Sequence, residues 1–136
     1  MVMNQDYSAT TKGITVRVRS AFLDEQSRPD EGHYLWAYRV RIENKGDVAV
    51  QLLRRSWMIT DARGRVQEVH GDGVVGETPV IEPGCAYEYQ SGTPLATPSG
   101  VMTGQYHMIE TGSGDAFDAE IPPFSLDSPY QPGRVH

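Results

Sequence analysis

The sequence predicts an all-β protein that folds as an antiparallel β-sandwich of seven to eight strands. Two observations support this fold class: apolar and polar residues alternate at a period of two in several segments, and turn residues separate those segments. In addition, no segment keeps a helical periodicity over enough residues to form a helix that connects two parallel strands. The pattern is typical of immunoglobulin and fibronectin type III domains, with a small barrel as the alternative.

The first two predicted strands are the clearest. Residues 14–22 alternate with Ile14, Val16 and Val18 on one face. Residues 34–43 follow the same rule and place large aromatic side chains inward. We expect a core that contains Trp36, Tyr38, Trp57 and Tyr106.

Further strands are predicted over 48–60, 66–69, 79–84, 86–91, 101–109 and 117–121. The phase of alternation slips at 52–55, which predicts a β-bulge or a strand break. Residues 92–100 are predicted as a loop, and Pro122 and Pro123 should end the last strand. We expect one domain over 1–136, with a core from about 8 to 127 and loosely ordered ends at 1–10 and 128–136.

The composition limits the classes of partner. The chain has 136 residues, a formal net charge of −6 and a pI near 5.1, which argues against general nucleic-acid binding. Residues 1–68 nevertheless carry eleven basic and nine acidic groups, whereas 69–136 carry one and nine. A basic face on an acidic protein is therefore possible, and the two unlike halves also permit self-association.

The expected compartment and the expected cross-links follow from features that the sequence lacks. No apolar run approaches the length of a membrane span, and residues 1–10 lack the features of a secretory signal, so we expect a cytoplasmic protein. The one cysteine, Cys85, can form neither an internal disulfide nor a zinc site by itself.

Three ordered segments resemble a known family. Residues 56–84, SWMITDARGRVQEVHGDGVVGETPVIEPG, resemble the central motif of ApaG proteins. Residues 90–108, QSGTPLATPSGVMTGQYHM, and 120–129, EIPPFSLDSP, are similar to two later motifs, so the resemblance extends from about Ser8 to Pro129. The sequence departs from the family at Ser56, where an aromatic residue or His is expected before Trp57.

The resemblance implies a fibronectin-III-like sandwich, found alone in bacteria and attached to F-box proteins and to a DNA-polymerase-delta-interacting protein in eukaryotes. That distribution implies a protein-interaction module. The family has also been connected with cobalt and magnesium tolerance, and its name reflects gene neighbourhood with a diadenosine-tetraphosphate hydrolase. The resemblance further suggests that a glycine-rich motif binds a nucleotide pyrophosphate.

That glycine-rich motif is Gly71, Gly73 and Gly76 in a GxGxxG spacing. In dinucleotide-binding folds such a loop joins a strand to a helix whose N-terminus faces the phosphates. Here no helix follows, and Asp72 and Glu77 place negative charge at the motif. We expect the glycines to serve a tight inter-strand loop in which Val74 and Val75 cap the core, with nucleotide binding as the alternative.

A second alternative is a response to divalent metal. Glu68, His70 and Asp72 are spaced by two and would share one face of a strand. Carboxylates and an imidazole suit cobalt or zinc, but three ligands on one strand rarely enclose an ion. We expect no cofactor and no specific metal site.

Nucleophilic catalysis is not indicated, because nothing in the spacing sets a His beside Cys85 and Ser99 lacks a nucleophile-elbow pattern. The sequence therefore predicts a binding module and not an enzyme. One candidate partner-binding surface, the arginine face, consists of Arg17, Arg19, Arg39 and Arg41, with Glu43 among them if the first two strands pair. A second is the apolar segment 122–130, which either folds back on the sandwich or docks on another chain.

Overall fold

The computed structural model describes residues 6–131, which form nine β-strands and two short 3-10 turns. The strands are β1 (Asp6–Thr11), β2 (Ile14–Phe22), β3 (Tyr34–Asn44), β4 (Val50–Asp61), β5 (Val66–Asp72), β6 (Val80–Ile81), β7 (Ala86–Leu95), β8 (Gly100–Glu110) and β9 (Ala116–Leu126). The 3-10 turns, Asp24–Gln26 and Pro29–Glu31, lie between β2 and β3.

The strands form two antiparallel sheets, as the alternation predicts. The first sheet has the order β1-β2-β3-β7, and the second has the order β5-β4-β8-β9, with β6 paired to β4. All neighbours in both sheets are antiparallel. The fold is an all-β sandwich, which confirms the predicted fold class.

Large aromatic side chains fill the space between the sheets. Trp36 and Tyr106 are fully buried, and Tyr38 and Trp57 are 7% and 4% exposed, so all four residues predicted in the core lie there. The Trp57 ring contacts Tyr38 and Phe124 edge-on, with ring centroids 5.6 and 6.0 Å apart. Such contacts between edges and faces join strands of both sheets.

A β-bulge in β4 explains the slip in its alternation. The register with β8 shifts between Leu52 and Arg54, so Leu53 is the extra residue. Leu52 and Trp57 can therefore both point inward although five positions separate them. The same shift turns Ser56 to the outer surface. The bulge predicted over 52–55 is confirmed.

The last strand runs through the proline pair that was expected to end it. β9 continues to Leu126, and its register with β8 shifts between the pairs Met102–Phe124 and Gly104–Ile121. The extra residue falls at Pro122 and Pro123, where a bulge tolerates the missing N–H donor. The prediction was wrong because it treated proline only as a strand terminator.

Other boundaries also differ from the prediction. Residues 6–10, expected to be loose, belong to β1 and pair with β2, while residues 1–5 lie outside the described residues. β7 extends to Leu95, so the first four residues of the predicted loop 92–100 are strand. In the predicted C-terminal tail, Ser128 is buried and its Oγ donates to the Pro98 carbonyl, 2.6 Å away. Residues 132–136 of that tail lie outside the described part.

The apolar segment 122–130 folds back on the sandwich. Phe124 and Leu126 are buried, and the Tyr130 ring contacts Phe22 and Tyr34 at centroid distances of 6.0 and 6.3 Å. Of the two placements expected for this segment, the structure shows the first. Within residues 6–131 there is no helix of the length and apolarity that crossing a bilayer requires.

Candidate functional site

The arginine face lies on the outer surface of the first sheet. In the pairing of β2 with β3, Arg17 lies opposite Arg41 and Arg19 lies opposite Arg39. The predicted juxtaposition of these four side chains is thus what the register produces. All four are exposed.

Carboxylates neutralise three of the four guanidinium groups. Glu43 accepts from Arg17 Nε at 3.1 Å and from Arg41 Nε at 2.9 Å, as the sequence predicts for that residue. Arg41 also contacts Glu88, and Asp6 receives two hydrogen bonds from Arg19 at 2.7 and 2.8 Å. These guanidinium groups lower the pKa of the Glu43 and Asp6 carboxyls.

Arg39 differs from its neighbours. Its Nη2 donates to the neutral Gln90 side chain at 3.3 Å, and no carboxylate of residues 6–131 lies within ion-pair distance of it. A shallow cavity of about 550 Å³ lies beside it, and Ala21 and Ala37 belong to its lining. The arginine face thus combines one unpaired cation with a depression lined by small side chains.

The glycine-rich loop is a tight turn that is tied to β4. Gly73 has a φ of +59°, and a Cβ there would lie 2.1 Å from the Glu77 carbonyl oxygen. The Gly73 amide donates to the Leu53 carbonyl, and Val74 and Glu77 exchange backbone hydrogen bonds of 2.8 and 2.9 Å. Three backbone N–H groups of the loop, those of Gly73, Val74 and Glu77, therefore donate hydrogen bonds to acceptors within the protein.

The surroundings of the loop fit this structural role. Arg55 Nη1 donates to the carbonyl oxygens of Asp72 and Gly73. Gly71 leaves room for that guanidinium, because a Cβ would lie 2.7 Å from Arg55 Nη2. Val74 is buried as predicted, but Val75 is 56% exposed at a φ of +43°, so the prediction that Val75 caps the core was wrong.

The predicted metal-ligating residues share the outer face of β5. In its pairing with β4, His70 lies opposite Ser56 and Asp72 lies opposite Arg54. His70 Nε2 is 3.4 Å from Glu68 Oε1, and its Nδ1 is 3.0 Å from Ser56 Oγ. Within residues 6–131 no three His, Cys, Asp or Glu side chains are grouped so as to hold an ion.

Sequence reasoning missed a row of side chains that continues from His70 across the second sheet. Ser56 Oγ lies 2.7 Å from His107 Nε2, and His107 Nδ1 lies 2.7 Å from Asp118 Oδ1. The three residues belong to β4, β8 and β9. Two features of the sequence could have indicated this row. One is the departure from the family at Ser56, and the other is that His107 and Asp118 occupy outward positions on two later predicted strands.

Comparisons with known proteins give a consistent result. A family model described as the ApaG domain matches residues 24–110. Protein ApaG of Paramagnetospirillum magneticum is 62% identical over 130 residues, which cover 96% of this chain and 99% of that protein. Protein ApaG of Rhodospirillum centenum is 59% identical over 128 residues, covering 94% and 98%.

A solved structure extends the similarity to the fold. A crystal structure of a protein from Bordetella pertussis is 45% identical, covers 87% of this chain and 95% of that one, and superposes with a TM-score of 0.83. The match to the family model spans more than half of the chain, and the relatives align over nearly its full length. The chain belongs to the ApaG family.

Proposed function

We propose that this ApaG-family protein is a protein-interaction module that binds an acidic surface of another protein through the arginine face. The observation that supports this proposal is Arg39, an exposed guanidinium without a carboxylate partner among residues 6–131, beside a shallow cavity. Arg presents a planar set of N–H donors that suits a carboxylate. A partner's Asp or Glu is therefore the group that fits there.

The arrangement around Arg39 supports a defined binding geometry. Its neighbours Arg19 and Arg41 are already held by Asp6, Glu43 and Glu88, so their side chains are fixed around Arg39. Side chains that are already ordered lose less entropy on binding. The rigid sheet beneath them holds the pairs in register, which favours recognition of a specific acidic surface.

The charge of the whole chain limits what else can bind. The net charge of −6 opposes a polyanion such as nucleic acid, whereas a local cation still attracts a single acidic group at short range. We infer a cytoplasmic protein partner, with neither a cofactor nor a membrane required for binding.

The test is affinity capture from the native cytosol with wild type, Arg39→Glu and the matched control Arg63→Glu. Arg63 is an exposed arginine in the β4–β5 turn, so the two substitutions change the charge equally. We expect a protein that wild type and Arg63→Glu retain and that Arg39→Glu loses, with retention that falls as salt rises. Identical retention by all three proteins contradicts the assignment to the arginine face.

The small-ligand alternatives call for a thermal-shift screen with ATP, diadenosine polyphosphates, pyrophosphate, cobalt and magnesium. A ligand that binds only the folded state raises Tm by mass action. We expect no saturable shift. A shift with pyrophosphate favours the Gly71–Gly76 loop, and a shift with cobalt that His70→Ala removes favours a metal-responsive protein.

A further inference from the structure

The row Ser56, His107 and Asp118 has the connectivity of a nucleophile, a base and a positioning carboxylate. Asp118 accepts the Nδ1–H of His107, which leaves the lone pair of Nε2 directed at the Ser56 hydroxyl. Both distances are 2.7 Å, within the range in which such groups exchange a proton. Sheet structure accounts for the spacing, although 51 residues separate Ser56 from His107.

Rigid strands hold all three side chains. Arg54 pairs with His107 across β4 and β8, and His107 pairs with Asp118 across β8 and β9. The bulge at Leu53 decides which face of the sheet carries the Ser56 side chain, because without it Ser56 would point into the core. Groups carried by paired strands keep their geometry better than groups on loops.

We propose that Ser56 is a nucleophile that accepts the acyl group of small carboxylic esters, with His107 as its general base and Asp118 as the residue that positions His107. This activity goes beyond the proposed interaction function and uses the other sheet. It also revises the expectation, drawn from the sequence, that nucleophilic catalysis is absent.

The reaction balances without any group that the protein lacks. Ser56 Oγ bonds to the ester carbonyl carbon while its proton passes to His107 Nε2. The carbon–oxygen bond to the alcohol then breaks, and His107 returns the proton to the departing alkoxide. Water then bonds to the acyl carbon while His107 Nε2 takes one of its protons. The bond between that carbon and Ser56 Oγ breaks, His107 returns the proton to Ser56 Oγ, and the carboxylic acid leaves.

The surroundings of Ser56 define the substrate class. His70 Nδ1 also lies 3.0 Å from Ser56 Oγ, so a second imidazole borders the nucleophile. Shallow cavities of about 440 and 290 Å³ adjoin Ser56, the larger lined by Arg54 and His107. The Asp118 side chain is 50% exposed, so the site is open and suits a small ester.

The test uses a fluorophosphonate probe and p-nitrophenyl acetate on the purified full chain, with peptide mapping of the adduct. We expect phosphonylation and acetylation at Ser56, and none there in Ser56→Ala. Ser113 is an exposed serine that lies near Glu110 and no imidazole, so it reports background reactivity in the same molecule. We expect its labelling to be far slower.

Variants distinguish the roles of His107 and Asp118. Circular dichroism verifies that each variant keeps the fold. His107→Gln should slow labelling of Ser56 roughly 100-fold or more, whereas the matched control His33→Gln, at an exposed imidazole just before β3, should not. Asp118→Asn should slow labelling at least about tenfold, and Asp118→Glu should restore part of the rate.

Two results overturn the proposal. One is equal labelling of Ser56 and Ser113. The other is an unchanged rate in His107→Gln, including the case in which His70→Gln alone abolishes labelling, since His70 would then be the base. Neither result bears on the arginine face, because Arg39→Glu tests that function separately.

Discussion

At the scale of single residues, the glycine-rich loop shows that two glycines of one motif can be required for different physical reasons. Gly73 is buried at a positive φ beside the Glu77 backbone, and its amide is bonded to Leu53. Gly76 has a φ of +83°, but no heavy atom lies within 4 Å of the place of a Cβ. The first glycine is required by both conformation and space, and the second by conformation alone.

We expect Gly73→Ala to destabilise the protein more than Gly76→Ala. The Gly76 variant should lose about 1–2 kcal/mol, the cost of a left-handed conformation for an L-residue. The Gly73 variant adds a contact of 2.1 Å with a backbone oxygen that cannot move freely. Urea denaturation measures both free energies of unfolding, and equal losses would contradict this structural role.

At the scale of elements, the alternation of residues predicted the regular strands and the bulge in β4, but it did not predict how the strands of the second sheet align. The arginine face followed from the sequence because β2 and β3 are consecutive, long and regular. The row at Ser56 did not follow, because it needs the bulge in β4 and the registers of β8 and β9 together. Those registers depend on tertiary packing, which local patterns do not specify.

The indole of Trp36 connects the start of β3 to the segment that follows β9. It is fully buried, packs on Phe22 at 5.3 Å between ring centroids, and donates from Nε1 to the Asp127 carbonyl at 2.8 Å. Truncation of this side chain therefore removes both apolar contacts and the hydrogen bond that fixes the segment after β9.

We expect Trp36→Ala to lower the free energy of unfolding by about 3–5 kcal/mol in chemical denaturation. The matched control is Val101→Ala on β8, where the side chain is 43% exposed and the loss should stay within about 0.5 kcal/mol. A loss below about 1 kcal/mol for Trp36→Ala would refute the packing described for this strand.

At the scale of the whole molecule, ionisable groups divide between the surface and the core. The carboxyls of Asp6 and Glu43 lie outside on the first sheet, where arginine partners lower their pKa. The hydroxyls of Tyr89 and Tyr106 bond to each other between the sheets, where burial raises the pKa of both. The two classes therefore affect stability at opposite ends of the pH scale.

We expect Tm to fall at both ends of the pH scale, for separable reasons. A lowered carboxyl pKa stabilises the fold above its ordinary value, 3.8 for Asp6 and 4.5 for Glu43, and that stabilisation disappears as pH falls through the folded-state pKa. A raised tyrosine pKa stabilises the fold below its ordinary value of 10.0 and is lost as pH rises beyond it.

Variants separate the two limbs in thermal melts from about pH 3 to pH 11. Glu43→Gln should make the acid limb shallower, with Asp6 still contributing to it, and leave the alkaline limb unchanged. The double variant Tyr89→Phe/Tyr106→Phe removes both members of the buried pair, so no hydroxyl is left without a partner, and it should flatten the alkaline limb alone. An alkaline decline as steep in the double variant as in wild type would show that other groups cause it, and would contradict the burial of Tyr89 and Tyr106 as its cause.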